Sequence, residues 1–243
     1  MRGVIRLGVA LQFIEASAFG VRAAHYRLRS PLHSLEFHLF PMIHIGSAEF
    51  YEQVRERIDR CDVVLFEGVR SLAVKLLTAS YTLAARSERL GLVTQRDALP
   101  VAQLKGRLIH ADSSTQEFEA AWAFVPWYWR VAVAVGAPVY GLWLYFTASR
   151  ETIGRRLSTN DLESREDIER FEDLPEFENA IATRRDVRLV AEIERLLELP
   201  GNHANAGVVY GAAHMRHATR LLTEKYGYRV VEAEWLNVFQ YAV

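Results

Sequence analysis

The chain has 243 residues, half of them apolar and 24% charged, with 29 Lys and Arg against 30 Asp and Glu and a single cysteine. That length admits one large α/β domain or one domain with an inserted lobe, and the composition excludes disordered, collagenous and coiled-coil chains. A formal net charge of −1 leaves no global field to attract nucleic acid, and the lone Cys61 excludes an intramolecular disulfide or a cysteine-based zinc cluster.

From the start of the chain, residues 1–24 place Arg2 and Arg6 before an apolar stretch, and Ala16-Ser17-Ala18 has the small-residue pattern of a signal-peptide cleavage site. Gln12 and Glu15 interrupt that stretch and leave about eight apolar residues, the short end for export. The segment therefore points to a cytoplasmic protein, with export and membrane association as the alternatives. Residues 35–44 are rich in β-formers and stop before Gly46, residues 49–60 (EFYEQVRERIDR) have helical periodicity, and residues 62–66 (DVVLF) form a short apolar run. Together they make a βαβ unit. A continuously apolar strand of this kind belongs in a parallel sheet covered on both faces. Residues 72–90 read as one further helix leading to Gly91-Leu92-Val93-Thr94, residues 107–111 (RLIHA) as a strand, and residues 114–123 as a helix.

Aromatics crowd residues 122–129 (WAFVPWYW), and such density points to mutual packing in a core. Residues 131–146 (VAVAVGAPVYGLWLYF) are apolar but fall short of the roughly 20 that a spanning helix needs, and Gly136, Pro138 and Gly141 interrupt them. They read as a buried element or a hydrophobic lobe over a pocket, with peripheral membrane contact as the alternative. Residues 151–180 hold ten acidic residues against four basic, the mark of a solvated, partly irregular arm. Helical periodicity resumes over residues 181–199 and stops at Pro200-Gly201-Asn202. Residues 206–210 (AGVVY) then read as a strand, residues 215–226 as a helix ended by Gly227, and residues 228–235 as an alternating strand, which makes a second βαβ unit. With no internal repeat, solenoids and propellers are excluded. Residues 1–243 read as a single α/β domain, a mainly parallel sheet flanked by helices. Its two βαβ units lie side by side, and a helical, partly hydrophobic lobe with its acidic arm is inserted over residues 114–180.

In open α/β sheets, ligands and catalytic groups sit just beyond the carboxyl ends of the strands. Four polar residues fall there. His44 closes the first strand, Glu67 closes DVVLF, Asp112 closes RLIHA, and His214 follows VVY across Gly211-Ala212-Ala213. Two imidazoles and two carboxylates at one rim are the donor types that suit zinc, manganese, cobalt or iron. Asp112 also reads as the N-cap of the helix that follows Ser113-Ser114. Arg185 falls at the edge of the apolar stripe of Leu189, Ile193 and Leu196, whereas Arg184, Arg188 and Arg195 lie opposite. A cation on that edge either takes Glu67, Asp112 or a substrate carbonyl as its partner, or snorkels to the surface.

Three stretches, LFPMIHIGSAEFYEQVRERIDRCDVVLFEGV, TRRDVRLVAEIERLL and VVYGAAHMRHATRLLTEKYGYRVV, resemble the TraB/PrgY/GumN group, related to the Tiki proteins. Members carry two Gly-x-x-His motifs, each after a strand, with a Glu after the second strand and an Arg in a downstream helix. The resemblance covers residues 37–70 and 181–235, roughly a third of the chain. His214 matches the second motif histidine with Gly211 intact. His44 matches the first, although Pro41 stands where the family has Gly. Glu67 matches the family Glu, and Arg185, followed by Asp186, its Arg. The resemblance implies metal-dependent hydrolysis, with a peptide or small molecule as substrate: Tiki members are described as metalloproteases and PrgY members as dampening peptide pheromone signals. On that basis His44 and His214 hold a divalent ion, with Asp112 as an additional candidate ligand. Glu67 is a ligand or the general base, and Arg185 stabilises an oxyanion. The alternative is a non-catalytic protein that binds or sequesters a peptide or other ligand, with possible membrane association.

Overall fold

Val63, Val64 and Leu65 are each 0% exposed, as an uninterrupted apolar strand must be when strands flank it and its two faces are covered. The computed structural model describes residues 11–161, 184–198 and 203–241. It places this run, β5 (Val63–Phe66), inside a seven-stranded sheet. The parallel half runs β3 (Glu36–Met42), β8 (Asn205–Gly211), β5 and β7 (Arg107–His110), in that spatial order. Phe40 pairs with Val209, Val209 with Phe66, and Phe66 with His110, so the four carboxyl ends finish nearly level. In the antiparallel half, β2 (Gly20–Arg29) pairs with β3, with the short β1 (Ile14–Ala16), and along its whole length with β9 (Arg229–Gln240). The expected α/β class is therefore present as a mixed sheet of mostly parallel strands flanked by helices. A separate ribbon joins β4 (Ile45–Gly46) to β6 (Val93–Thr94).

The helices start where the sequence supplies caps. Ser47 caps α1 (Ala48–Ile58), with Glu49 in the first turn, and the helix buries Phe50, Tyr51, Val54 and Ile58. Residues 72–90 divide into α2 (Leu72–Leu77) and α3 (Ala79–Ala84), separated at Thr78. After the short α4 (Gln95–Ala98), α5 (Thr115–Phe124) begins with a capping box between Ser114 and Glu117, so Ser114 and not Asp112 is its N-cap. Then come α6 (Trp127–Thr147), α7 (Arg150–Asp161), α8 (Arg184–Glu198) and α9 (Met215–Arg220), which continues into a π turn. On α8, Leu189, Ile193 and Leu196 are buried against the main core.

Several expectations need correcting. Residues 14–16 and 20–29 are sheet strands, and Ala16-Ser17-Ala18 lies at the bend joining them. The C-terminal part is not a βαβ unit, because β9 runs antiparallel to β2 at the far side of the sheet while β8 inserts between β3 and β5. Residues 131–146 are neither broken nor buried. They lie in α6, which contains Pro138 and runs on past it, and Gly141 seats the helix against α3, where a Cβ would fall 2.8 Å from Ser80 Cα. The aromatic run before it is not core either: Trp122 stacks on Phe118, but Phe124, Trp127 and Tyr128 are exposed. The first part of the acidic arm is helical in α7, while residues 162–183, like the stop at residues 199–202, lie outside the described residues.

Where β2, β3, β9 and α1 meet, His25 stacks on Phe40 at 4.5 Å, its Nε2 lies 3.2 Å from His38 Nδ1, and its Nδ1 faces Glu234 at 3.7 Å. Burial, and then the His38 charge, pull the His25 imidazole down from its ordinary 6.5 to about 4, against the opposing pull of Glu234. Burial also lowers His38. The unfolded chain therefore takes up these protons at a higher pH than the native state does, and stability falls as pH drops from 6.5 towards 4. Thermal melts followed by circular dichroism across that window should show the fall, and a His25→Phe variant, which keeps the stack on Phe40, should show a shallower one.

Candidate functional site

The level carboxyl ends of the parallel strands bring the predicted rim together. Glu67 follows β5 directly, Asp112 lies two residues beyond β7, Gly211 ends β8, and His44 lies two residues beyond β3. Arg185 reaches this rim from the first turn of α8. Its Nε donates to Asp112 Oδ1 at 2.8 Å and its Nη2 to Asp112 Oδ2 at 2.8 Å, and Nη2 also donates to Glu67 Oε2 at 3.1 Å. The guanidinium is thus a fork on one carboxylate and a bridge to a second, so it does not snorkel.

Asp112 is 3% exposed, and it also accepts from the backbone N–H of Gly68 at 3.0 Å and of Ser113 at 2.7 Å. Burial pushes its carboxyl up, but the Arg185 guanidinium and the two backbone N–H groups outweigh burial and hold it below its ordinary value. Burial would likewise lower the Arg185 pKa, and Glu67 and Asp112 reverse that, leaving it raised. Four hydrogen bonds occupy both Asp112 oxygens, which takes Asp112 out of the set of candidate metal ligands. The Arg185 guanidinium also lies over the buried Tyr210 ring, 5.7 Å from its centroid.

His214 sits in the turn after β8, 8% exposed, with its ring edge-on to Tyr210. Its Nδ1 lies 2.6 Å from Asp186 Oδ1, and the other Asp186 oxygen faces His217 Nδ1 at 3.2 Å. A carboxylate on Nδ1 sets the tautomer and leaves Nε2 as the lone-pair nitrogen. Gly211 holds Glu67 against this histidine. Its N–H donates to Glu67 Oε2 at 2.9 Å, and a Cβ on it would lie 3.3 Å from that oxygen and 3.4 Å from His214 Cδ2. A side chain there would touch both groups and crowd the carboxylate by a few tenths of an ångström.

His44 is exposed at the rim, and Tyr81 of α3 stacks on it at 5.0 Å and 9°. Burial is the main cause lowering its pKa. Glu67 pulls it up, and Arg185 and His214 push it down. Tyr81 is itself pushed up to about 12 by burial. The donors left uncommitted are His214 Nε2, the open side of His44 and Glu67 Oε1. Among the described residues, no group of three or more His, Cys, Asp or Glu side chains is arranged to hold a metal ion.

No known protein family, characterised protein or solved structure matches the chain. Among the described residues, no helix is long and apolar enough to cross a membrane.

Two further residues complete the site, Asp186 and Tyr81. Asp186 is 9% exposed and falls three residues before Leu189 on the apolar stripe of α8. An acid on that stripe was a legible sign of a buried partner. Tyr81 carried no such sign, because only the packing of α3 brings it to His44.

Arg185 ties α8 to the ends of β5 and β7, so its removal leaves two carboxylates facing one another. Arg185→Met should cost about 3–5 kcal/mol of stability. Arg188 is on the same helix, but its ion pair with Glu117 is largely exposed, and Arg188→Met should cost less than about 1 kcal/mol. Urea unfolding of the two variants checks the contrast.

Proposed function

We propose that the rim is the site of a metal-dependent hydrolase acting on peptide bonds, as the resemblance to the TraB/PrgY/GumN group implies, with His44 and His214 as the protein ligands of a divalent ion. The observation that carries this reading is the Asp186–His214 contact of 2.6 Å. It fixes the histidine's orientation and frees Nε2 beside Glu67, the usual outer-shell arrangement behind a ligating imidazole. Two imidazole donors, with the Glu67 carboxylate beside them as base, suit zinc, manganese, cobalt or iron. When bound, such an ion supplies Lewis-acid activation of a water and of the scissile carbonyl.

The chain's own residues account for the rest. Asp186 orients His214. Gly211 N–H and Arg185 hold Glu67 Oε2, which leaves Oε1 to take the proton from the attacking water as general base. Arg185 acts mainly as a positioning residue, because Nε and Nη2 are engaged and only Nη1 remains for a developing oxyanion. Tyr81 covers one face of His44 and limits the approach of water there.

One observation favours a second reading, a protein that binds a ligand at the same rim without cleaving it. Arg185 already pairs with both rim carboxylates, and the described residues offer no ready group of three metal donors.

Metal content of protein purified without chelator, together with hydrolysis of a peptide library, separates the two. The hydrolase reading expects a bound divalent ion whose affinity falls about 10- to 100-fold or more in His44→Ala and in His214→Ala. It also expects that Glu67→Gln, whose amide oxygen can still accept from Gly211, keeps the metal and the melting temperature while hydrolysis falls about 10²- to 10⁴-fold. Peptide capture with no cleavage and no metal dependence would establish the binding reading instead.

A further inference from the structure

Soluble helices turn their polar face to water, and α6 does the reverse. Trp127, Val131, Val135, Val139, Leu142 and Phe146 are all exposed along it, at 68, 52, 61, 63, 53 and 66%. No charged side chain lies on that outward face. The one charge in the helix, Arg130, is on the half-buried side, with its Nε buried and without a hydrogen-bond partner. The inward side seats on α2 and α3 through Gly141, and an apolar groove of about 330 Å³ opens between these helices, lined by Leu77, Trp129, Val133, Ala137 and Tyr140 among others. An unbroken apolar surface along 21 residues, about 31 Å of helix, exceeds what a protein in water alone normally exposes.

Charge selects what covers it. Residues 69–90 and 127–150, the segments that build this lobe, contain Arg70, Lys75, Arg86, Arg89, Arg130 and Arg150 against the single acid Glu88, in a chain whose total charge is −1. Among the described residues none of these six cations is paired with a carboxylate; Arg89 and Arg150 are held by backbone carbonyls. A second copy docking through the same face would set one cationic lobe against another, because a two-fold interface brings like patches together. An anionic lipid surface has the complementary charge and takes the apolar face as well. The exposed Trp127 and Trp143 suit the interfacial depth at which an in-plane helix lies.

We infer that α6, backed by α2 and α3, lies in the plane of an anionic lipid bilayer and docks the protein on it. The inference is independent of the proposed hydrolysis. Docking would bring the rim close to the lipid surface, since Tyr81 of the same lobe stacks on His44.

Flotation with vesicles tests this, using phosphatidylcholine alone and phosphatidylcholine mixed with phosphatidylserine in equal parts. The full chain should float with the mixed vesicles and much less with phosphatidylcholine, with a blue shift in tryptophan emission. Val135→Glu combined with Val139→Glu should abolish flotation with an unchanged melting temperature, because both residues face outward. Lys75→Ser combined with Arg86→Ser should weaken partitioning to mixed vesicles by about fivefold per charge removed. Failure to float, or equal flotation with both vesicle types, would overturn the inference. So would a lipid-free dimer that the Val135→Glu and Val139→Glu pair dissolves while vesicles bind nothing, which would assign the face to self-association.

Discussion

The guanidinium of Arg185 is the point on which the rim depends. It draws together a helix and the ends of two strands that are far apart in the chain, and it lets two carboxylates sit side by side away from water. Each acid needs that partner, since an unpaired buried charge costs several kcal/mol. Asp112 is the fixed end of the arrangement, with all its acceptor positions filled. Glu67 is the adjustable end, with one oxygen held and one open.

From that clamp the rest of the site follows by adjacency. Arg185 and Asp186 are neighbours on α8, so the turn that places the cation against Glu67 and Asp112 places the next residue against His214. Gly211 closes the arrangement from β8: its N–H holds the Glu67 carboxylate, and the Glu67 carboxylate and the His214 ring both pack against its Cα side. Three parallel strands and one helix end thus converge on a volume that holds two hydrogen-bonded sets, Arg185 with Glu67 and Asp112, and Asp186 with His214. Such networks lose more when one member is removed than pairwise contacts suggest. Folding and chemistry are therefore coupled here: the arginine that positions the proposed base also docks α8 onto the sheet.

The lobe of α2, α3 and α6 follows a different logic. The rim buries charge and neutralises it internally, whereas the lobe exposes apolar surface and, among the described residues, leaves its cations without acidic partners. The two meet where Tyr81 lies on His44. A surface that covers α6 would act on the rim through that contact, since α3 carries Tyr81 on one side and seats α6 on the other.

Much of this was legible in the chain. The apolar run at residues 63–65 announced a buried parallel strand, the cap at Ser47 and the stripe of Leu189, Ile193 and Leu196 marked helices, and polar residues just past strand ends pointed to His44, Glu67, Asp112 and His214. These features are local: periodicity, capping and strand termination depend on residues a few positions apart. Arg185 at the edge of an apolar stripe showed that a partner was needed, because a buried cation must be paired, but not which partner. The tertiary structure decided that Asp112 is a clamp and not a cap, that β8 inserts between β3 and β5, and that β9 crosses to the far side of the sheet. It also decided that residues 127–147 form one exposed helix where breaks and burial were expected. Each of these turns on contacts between segments remote in sequence. Strand order, the partner of a buried charge and the face a helix turns outward are set by which distant surfaces bury one another, and no local pattern encodes that choice.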